Sequence, residues 1–87
     1  MVIRVVEVLN RAGIHARPAA LIVKVANKFS SQLYMEKDRM KINGKSIMGI
    51  ITLGAAYKSK ITITTDGSDE TEAIDAIEQL FLNRFEE

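Results

Sequence analysis

The stretch Ile61-Thr62-Ile63-Thr64-Thr65 constrains the fold of this chain more than any other. Apolar and hydroxylated side chains alternate with a period of two, so the segment reads as a strand with one face for a core and one for water. All five residues are β-branched, which favours the pleated conformation further. A sheet built around such a strand needs covering on one side only. The threonines of this strand, together with Tyr34, are expected on the side left open.

The rest of the chain supplies the partners and the cover. Val2 to Leu9 is apolar, interrupted by Arg4 and Glu7, and reads as a first strand. Asn10 to Gly13 is a loop. Pro18 suits the first turn of a helix, where a missing N–H costs nothing. That helix should run to about Lys28, with Ala19, Ile22, Val23, Ala26 and Phe29 or Ser30 as its buried stripe. Ser31 to Lys37 and Met40 to Asn43 read as strands joined by the turn Lys37-Asp38-Arg39. Ser46 to Leu53 suits a short helix, with serine as its N-cap. Asp66-Gly67 ends the 61–65 strand. Asp69 followed by Glu72 is a capping signal for a last helix. Ala73, Ile74, Ile77, Leu80, Phe81 and Phe85 then lie on one broad face, so this helix should reach the end of the chain. The order β-α-β-β-α-β-α points to an α+β fold, an open-faced two-layer sandwich with helices on one face of the sheet. With 87 residues, positions 1–87 are expected to form a single domain.

Composition excludes several function classes. No run approaches the roughly 20 apolar residues of a membrane span. The first residues lack a basic segment followed by a long apolar stretch, so they do not read as a signal peptide. There is no cysteine, which removes disulfides and thiolate metal sites. A cytoplasmic protein without membrane insertion is expected. The net charge of +1 argues against a dedicated nucleic-acid binder. Its distribution is uneven: residues 1–45 hold nine Lys/Arg against three Asp/Glu, or +6, and residues 46–87 hold three against eight, or −5. The basic half could steer an acidic partner or an anion. The acidic half also fits the solvated face of a C-terminal helix.

The chain's only histidine and only proline both fall in Gly13-Ile14-His15-Ala16-Arg17-Pro18-Ala19-Ala20. His15 closes a loop just before a helix start, where unpaired N–H groups and the positive end of the dipole form a ready anion site. Arg17 adds a fork of donors suited to phosphate. The helix end and the arginine both disfavour a second positive charge, which favours a neutral, nucleophilic imidazole. Local physics therefore suggests a histidine that accepts a phosphoryl group and holds it among fixed donors. The same histidine could be a plain surface or capping residue. Metal binding is not expected, because no second histidine, no cysteine and no nearby carboxylate accompany it. No cofactor is expected. Gly44-Lys45-Ser46 resembles the end of a P-loop, but the glycine required five positions earlier is Arg39, so nucleotide binding through it is rejected. In the segment from Ser46 to Ala56, Ile47, Met48 and Ile51 stay partly exposed if Ile50 and Leu53 are core. Such an apolar, methionine-containing patch suits partner contact; core packing is the competing reading.

These residues resemble the HPr family, the histidine-containing phosphocarriers of the phosphoenolpyruvate-dependent phosphotransferase system. The pattern N-x-x-G-[LI]-H-A-R-P-A is matched by Asn10 through Ala19. A second block, K-S-I-M-G followed by L-G, is matched by Lys45 to Gly49 and by Leu53-Gly54. The strand, glycine, acidic cap and amphipathic helix from Ile61 onward complete a match over nearly the whole chain. The resemblance implies a four-stranded antiparallel sheet in the order 1-4-2-3 with three helices on one face. It implies a stoichiometric phosphoryl carrier rather than an enzyme, expected to be a monomer. Phosphoryl transfer would run from phosphoenolpyruvate to enzyme I, to Nδ1 of His15, and on to enzyme IIA proteins. Arg17 would stabilise the phosphoryl group with backbone N–H groups of the Ala16-Arg17-Pro18 turn. Ser46 matches a serine phosphorylated by HPr kinase/phosphorylase in lineages that have one; otherwise it is a plain N-cap. Ala20, Ile47, Met48 and Ile51 would form the docking surface. Many relatives carry a glycine near position 58, where this chain has Lys58, which leaves the loop geometry there open. Three readings follow: a sugar-system carrier, the same chemistry in a regulatory, nitrogen-type branch without a sugar permease, and a docking co-regulator.

Overall fold

In the computed structural model, which describes residues 1–86, the elements follow the expected order: β1 Val2–Glu7, α1 Ala16–Ala26, β2 Gln32–Lys37, β3 Met40–Asn43, α2 Ile47–Thr52, β4 Lys60–Asp66 and α3 Glu70–Leu82. The four strands form one sheet in the order β1-β4-β2-β3, every neighbouring pair antiparallel. Register explains the two faces. Ile3 lies opposite Thr64, which lies opposite Tyr34, and Val5 lies opposite Thr62, which lies opposite Glu36. These residues share the open face. The other face presents Val6, Ile61, Ile63, Leu33 and Met35 to Ile22 of α1, Ile50 of α2 and Ile74 and Ile77 of α3, all in one buried cluster.

Thr65 departs from the expectation for the threonines. It is fully buried. An odd-numbered position puts it on the face of Ile61 and Ile63, and its hydroxyl is satisfied by donating to the Glu70 carbonyl oxygen at 2.9 Å. Thr62 and Thr64 stand on the open face as expected, and so does Tyr34, against which the Lys41 ammonium stacks at 5.0 Å.

Three element ends also differ. α1 stops at Ala26, two residues short of Lys28, and the amides of Lys28 and Phe29 close tight turns onto Val25 and Ala26. Of its anticipated stripe, Ala19, Ile22 and Ala26 are buried, Val23 and Phe29 half-buried, and Ser30 exposed. Asp69 stands at the N-cap position of α3 but its side chain does not cap that helix. It accepts instead from the amides of Ser30 and Ser31 and from the Ser31 hydroxyl. Those donors lie 38 and 39 positions back along the chain, so no local pattern announces them. Finally, α3 ends at Leu82. Arg84, Phe85 and Glu86 take left-handed φ angles of 56°, 54° and 63° in a single 3₁₀ turn. The turn carries Phe85 into the core, its ring 4.9 Å from that of Phe81 in an edge-to-face contact. Burial of that ring is set against a cost of about 1–2 kcal/mol for each left-handed residue. The expectation of a helix to the chain end therefore fails at residues 83–86, and its last position, Glu87, lies outside the described residues.

Candidate functional site

The loop before α1 is pinned before His15 is reached. The Asn10 carbonyl oxygen accepts from the Gly13 amide, and the Asn10 side-chain amide donates back to the Gly13 carbonyl oxygen at 2.7 Å. Asn10 is buried, so this closed turn is shielded from water. Gly13 has φ +75°, and a Cβ there would sit 2.7 Å from the Ala55 carbonyl oxygen. Only glycine suits both the left-handed backbone and the close approach. That approach lets the Ile14 amide bond the same Ala55 oxygen at 2.9 Å while the Ile14 side chain enters the core. One residue later His15 emerges exposed at the N-cap of α1, in an extended conformation.

At this N-cap the His15 carbonyl oxygen accepts from the Ala19 amide, the first bond of the helix, and the imidazole does not cap the helix. The preceding backbone donors, at Ala16 and Arg17, point out of the first turn without helical acceptors. Pro18 has no N–H; its contribution is the fixed φ that starts the helix, and its ring is buried beside Ala19. The donors of this turn are therefore Ala16 and Arg17, not all three residues of the anticipated turn. Among the described residues no carboxylate pairs with the exposed Arg17 guanidinium. An exposed imidazole, two amides without helical acceptors and a guanidinium with no carboxylate among the described residues thus share three consecutive positions, 15–17. That arrangement can bind and stabilise a tetrahedral or trigonal oxyanion.

The second group of site residues lies on α2, which packs against α1. Ser46 is its N-cap, and the hydroxyl oxygen accepts from the Gly49 amide at 3.0 Å. Ile50 and Leu53 are buried, while Ile47 is 42% exposed, Met48 70% and Ile51 36%. Ala20, on α1, is exposed too. Lys58 stands in the loop leading to β4. That residue takes the left-handed φ of 72° that a glycine would adopt without cost, and its amide bonds the Val8 carbonyl oxygen at 2.8 Å.

Asn10 and Ala55 are positioning residues to which sequence reading gave no role. The spacing of Asn10 and Gly13 did carry a turn signal, because asparagine side chains bond nearby backbone. Nothing in the sequence marked the backbone of Ala55. Among the described residues no group of three or more His, Asp or Glu side chains is placed to hold a metal ion. None of their helices is long and apolar enough to cross a membrane.

An open-faced sandwich whose single histidine opens the first helix two positions before an exposed arginine is the architecture of a known class of small phosphocarrier domains, and the comparisons place the chain in that class. The family model for the PTS HPr component phosphorylation site matches residues 2–83. The phosphocarrier protein HPr of Treponema pallidum is 49% identical over 87 residues, covering 100% of this chain and 99% of the relative. The HPr-like protein Crh of Halalkalibacterium halodurans is 49% identical over 77 residues, covering 88% of this chain and 92% of the relative. The crystal structure of HPr-C-His from Thermoanaerobacter tengcongensis superposes with a TM-score of 0.96 at 47% identity, covering 100% of this chain and 98% of that one. The chain belongs to the HPr family of phosphocarriers of the phosphotransferase system.

Proposed function

We propose that the chain takes a phosphoryl group from enzyme I, charged by phosphoenolpyruvate, onto Nδ1 of His15 and passes it to enzyme IIA proteins. The observation that carries this reading is the histidine at the start of α1, adjoining two amides without helical acceptors and an arginine with no carboxylate partner among the described residues. In the transfer, the Nδ1 lone pair forms the new N–P bond as the bond from phosphorus to the donor breaks, the electron pair leaving with the donor. Charge on the three transferring oxygens falls among the Ala16 and Arg17 amides and the Arg17 guanidinium, which are already in place and need no reorganisation. Onward transfer runs the same step in reverse toward the IIA acceptor. The protein turns over no substrate of its own; it is a stoichiometric carrier.

Docking to both partners uses Ala20, Ile47, Met48 and Ile51, an exposed apolar surface on α1 and α2. Ser46, at the edge of that surface, is the regulatory position, modified by an HPr kinase/phosphorylase where the source organism has one. A second reading, a regulatory nitrogen-type carrier without a sugar permease downstream, is favoured by the Asn43-to-Gly49 block and the residues after Leu82. Its chemistry at His15 is the same. The test is a relay: purified protein, enzyme I and labelled phosphoenolpyruvate, followed by candidate IIA proteins of both branches. Label should pass through the wild type and not through His15→Ala, and the IIA that accepts it identifies the branch. Relay through His15→Ala would overturn the reading.

A further inference from the structure

Three cations that the phosphoryl site does not use meet around one cleft. The cleft, of about 470 Å³, is walled by Leu9 to Ala12, Tyr57 and Arg84, from the loop before α1, the loop before β4 and the turn after α3. That volume lies in the range of small-molecule sites. Tyr57 is 40% exposed, and two cations stand over its ring. The Arg11 guanidinium is 5.7 Å from the ring centroid and the Lys58 ammonium 5.4 Å. The negative face of the ring holds both charges beside the cleft without neutralising them. Among the described residues no carboxylate pairs with Arg11, Lys58 or Arg84, whereas Arg4 and Lys37 both have carboxylate partners. The backbone points the same way. Lys58 and Arg84 take left-handed φ angles of 72° and 56°, which glycine adopts freely and long side chains rarely do. Residues held in such conformations collect at functional sites. The turn that carries Phe85 into the core accounts for Arg84. Lys58 is exposed, and its amide bond to the Val8 carbonyl oxygen would survive any residue but proline, so what lysine adds there is its charge.

We infer that this cleft binds a small polyanion of the phosphate-ester or phosphoanhydride class, held by Arg11, Lys58 and Arg84. Cations gathered from three separate stretches repel one another until an anion lies between them. A single carboxylate would answer only part of that charge. Two phosphate groups, or a phosphate with a carboxylate, answer it fully. The two guanidinium forks suit phosphate oxygens, and the lysine adds a point charge to the same group. The Tyr57 ring and Leu9 give the rest of the molecule an apolar surface to lie on. The cleft is separate from the phosphoryl site, because neither His15 nor Arg17 lines it. Its place still bears on that site. Arg11 belongs to the turn closed by Asn10 and Gly13, and Lys58 to the loop of Ala55. An anion shared by Arg11 and Lys58 ties together the same two loops that the Ile14 amide and the Ala55 carbonyl oxygen already join. The bound anion therefore stiffens the mount from which His15 emerges.

The test uses inorganic pyrophosphate as the probe, titrated into the nitrogen-15-labelled full chain at low ionic strength and followed by amide shifts and calorimetry. Binding should saturate at one per chain with a Kd of roughly 1 mM or below. The shifted amides should centre on Arg11, Ala12, Tyr57, Lys58 and Arg84. Arg84→Gln and Lys58→Gly should each lose roughly tenfold in affinity, the scale of one charge-assisted contact. Lys58→Gly keeps the left-handed backbone and removes only the side chain, so it should fold as the wild type does by circular dichroism. It decides the matter alone if Arg84→Gln does not fold. Arg17→Ala should bind pyrophosphate at this cleft unchanged. Failure to saturate overturns the inference, and so does wild-type affinity in Lys58→Gly. Shifts confined to His15, Ala16 and Arg17 and lost in Arg17→Ala also overturn it, by assigning all binding to the phosphoryl site. An acidic peptide that shifts the cleft residues where pyrophosphate does not would overturn it in favour of a protein partner.

Discussion

Arg17 is exposed, has no carboxylate partner among the described residues, and stands two positions after the histidine it is proposed to serve. A guanidinium held there by the first turn of α1 acts on charge that develops only during transfer. Replacing it should leave folding intact and slow transfer from enzyme I by about two orders of magnitude, the scale of one preorganised charge contact. Rapid-quench kinetics of Arg17→Ala measures this; an unchanged rate would mean the Ala16 and Arg17 amides suffice. Asp69 carries a different residue-scale effect. The Ser31 hydroxyl, then the Ser30 amide, hold its carboxylate well below the ordinary 3.8, at about 2. In the unfolded chain the group binds a proton more readily, so its contribution to stability is fully present above pH 3.8 and lost as pH falls through about 2. Urea midpoints measured across that window should fall more steeply in the wild type than in Asp69→Asn. Equal slopes would show that these hydrogen bonds do not act on stability.

At the scale of elements, legibility depended on whether the deciding contact was local. The β4 strand was readable because Ile61, Thr62, Ile63 and Thr64 alternate, and α1 because Pro18 fixes its start. Ser46 was readable as the cap of α2, and its hydroxyl does bond the Gly49 amide. The buried side of Thr65 follows from parity, but its acceptability there depends on the Glu70 carbonyl oxygen, which only the packed α3 supplies. Asp69 looked like a cap because its local pattern is that of one; donors 38 and 39 residues away took its oxygens. The end of α3 was misread because Phe85 keeps the helical period, and periodicity does not reveal a left-handed turn. Ser46 carries the prediction that belongs here. Ser46→Ala should cost about 1 kcal/mol of stability through the lost cap. Ser46→Asp can keep the cap, and its charge is tolerated at a helix N-terminus. Yet the charge adjoins exposed Ile47 and Met48, where desolvation on docking is costly. Ser46→Asp should therefore melt close to wild type and accept phosphate more slowly than Ser46→Ala. Equal acceptance rates in the two variants would remove the switch.

For the whole molecule, the sheet serves as a platform that brings two distant turns to one place. The loop before α1 is held by the Ala55 backbone, 41 positions beyond Ile14 in the chain, through the Ile14 amide and the close approach of Gly13. The sequence could offer His15 and Arg17 as a candidate pair because they stand two positions apart, and it could place Ile47, Met48 and Ile51 on the exposed side of α2. The Asn10 and Ala55 clamp needed the folded chain. The central claim is that this clamp and the start of α1 present one nitrogen to an incoming phosphoryl group. Nitrogen-15 and phosphorus-31 NMR of the protein charged by enzyme I and phosphoenolpyruvate tests it most directly. The account predicts one acid-labile adduct of roughly 80 Da, with phosphorus coupled to Nδ1 of His15 and absent from His15→Ala. Phosphorus coupled to Nε2 instead, or an adduct of equal yield in His15→Ala, would contradict it.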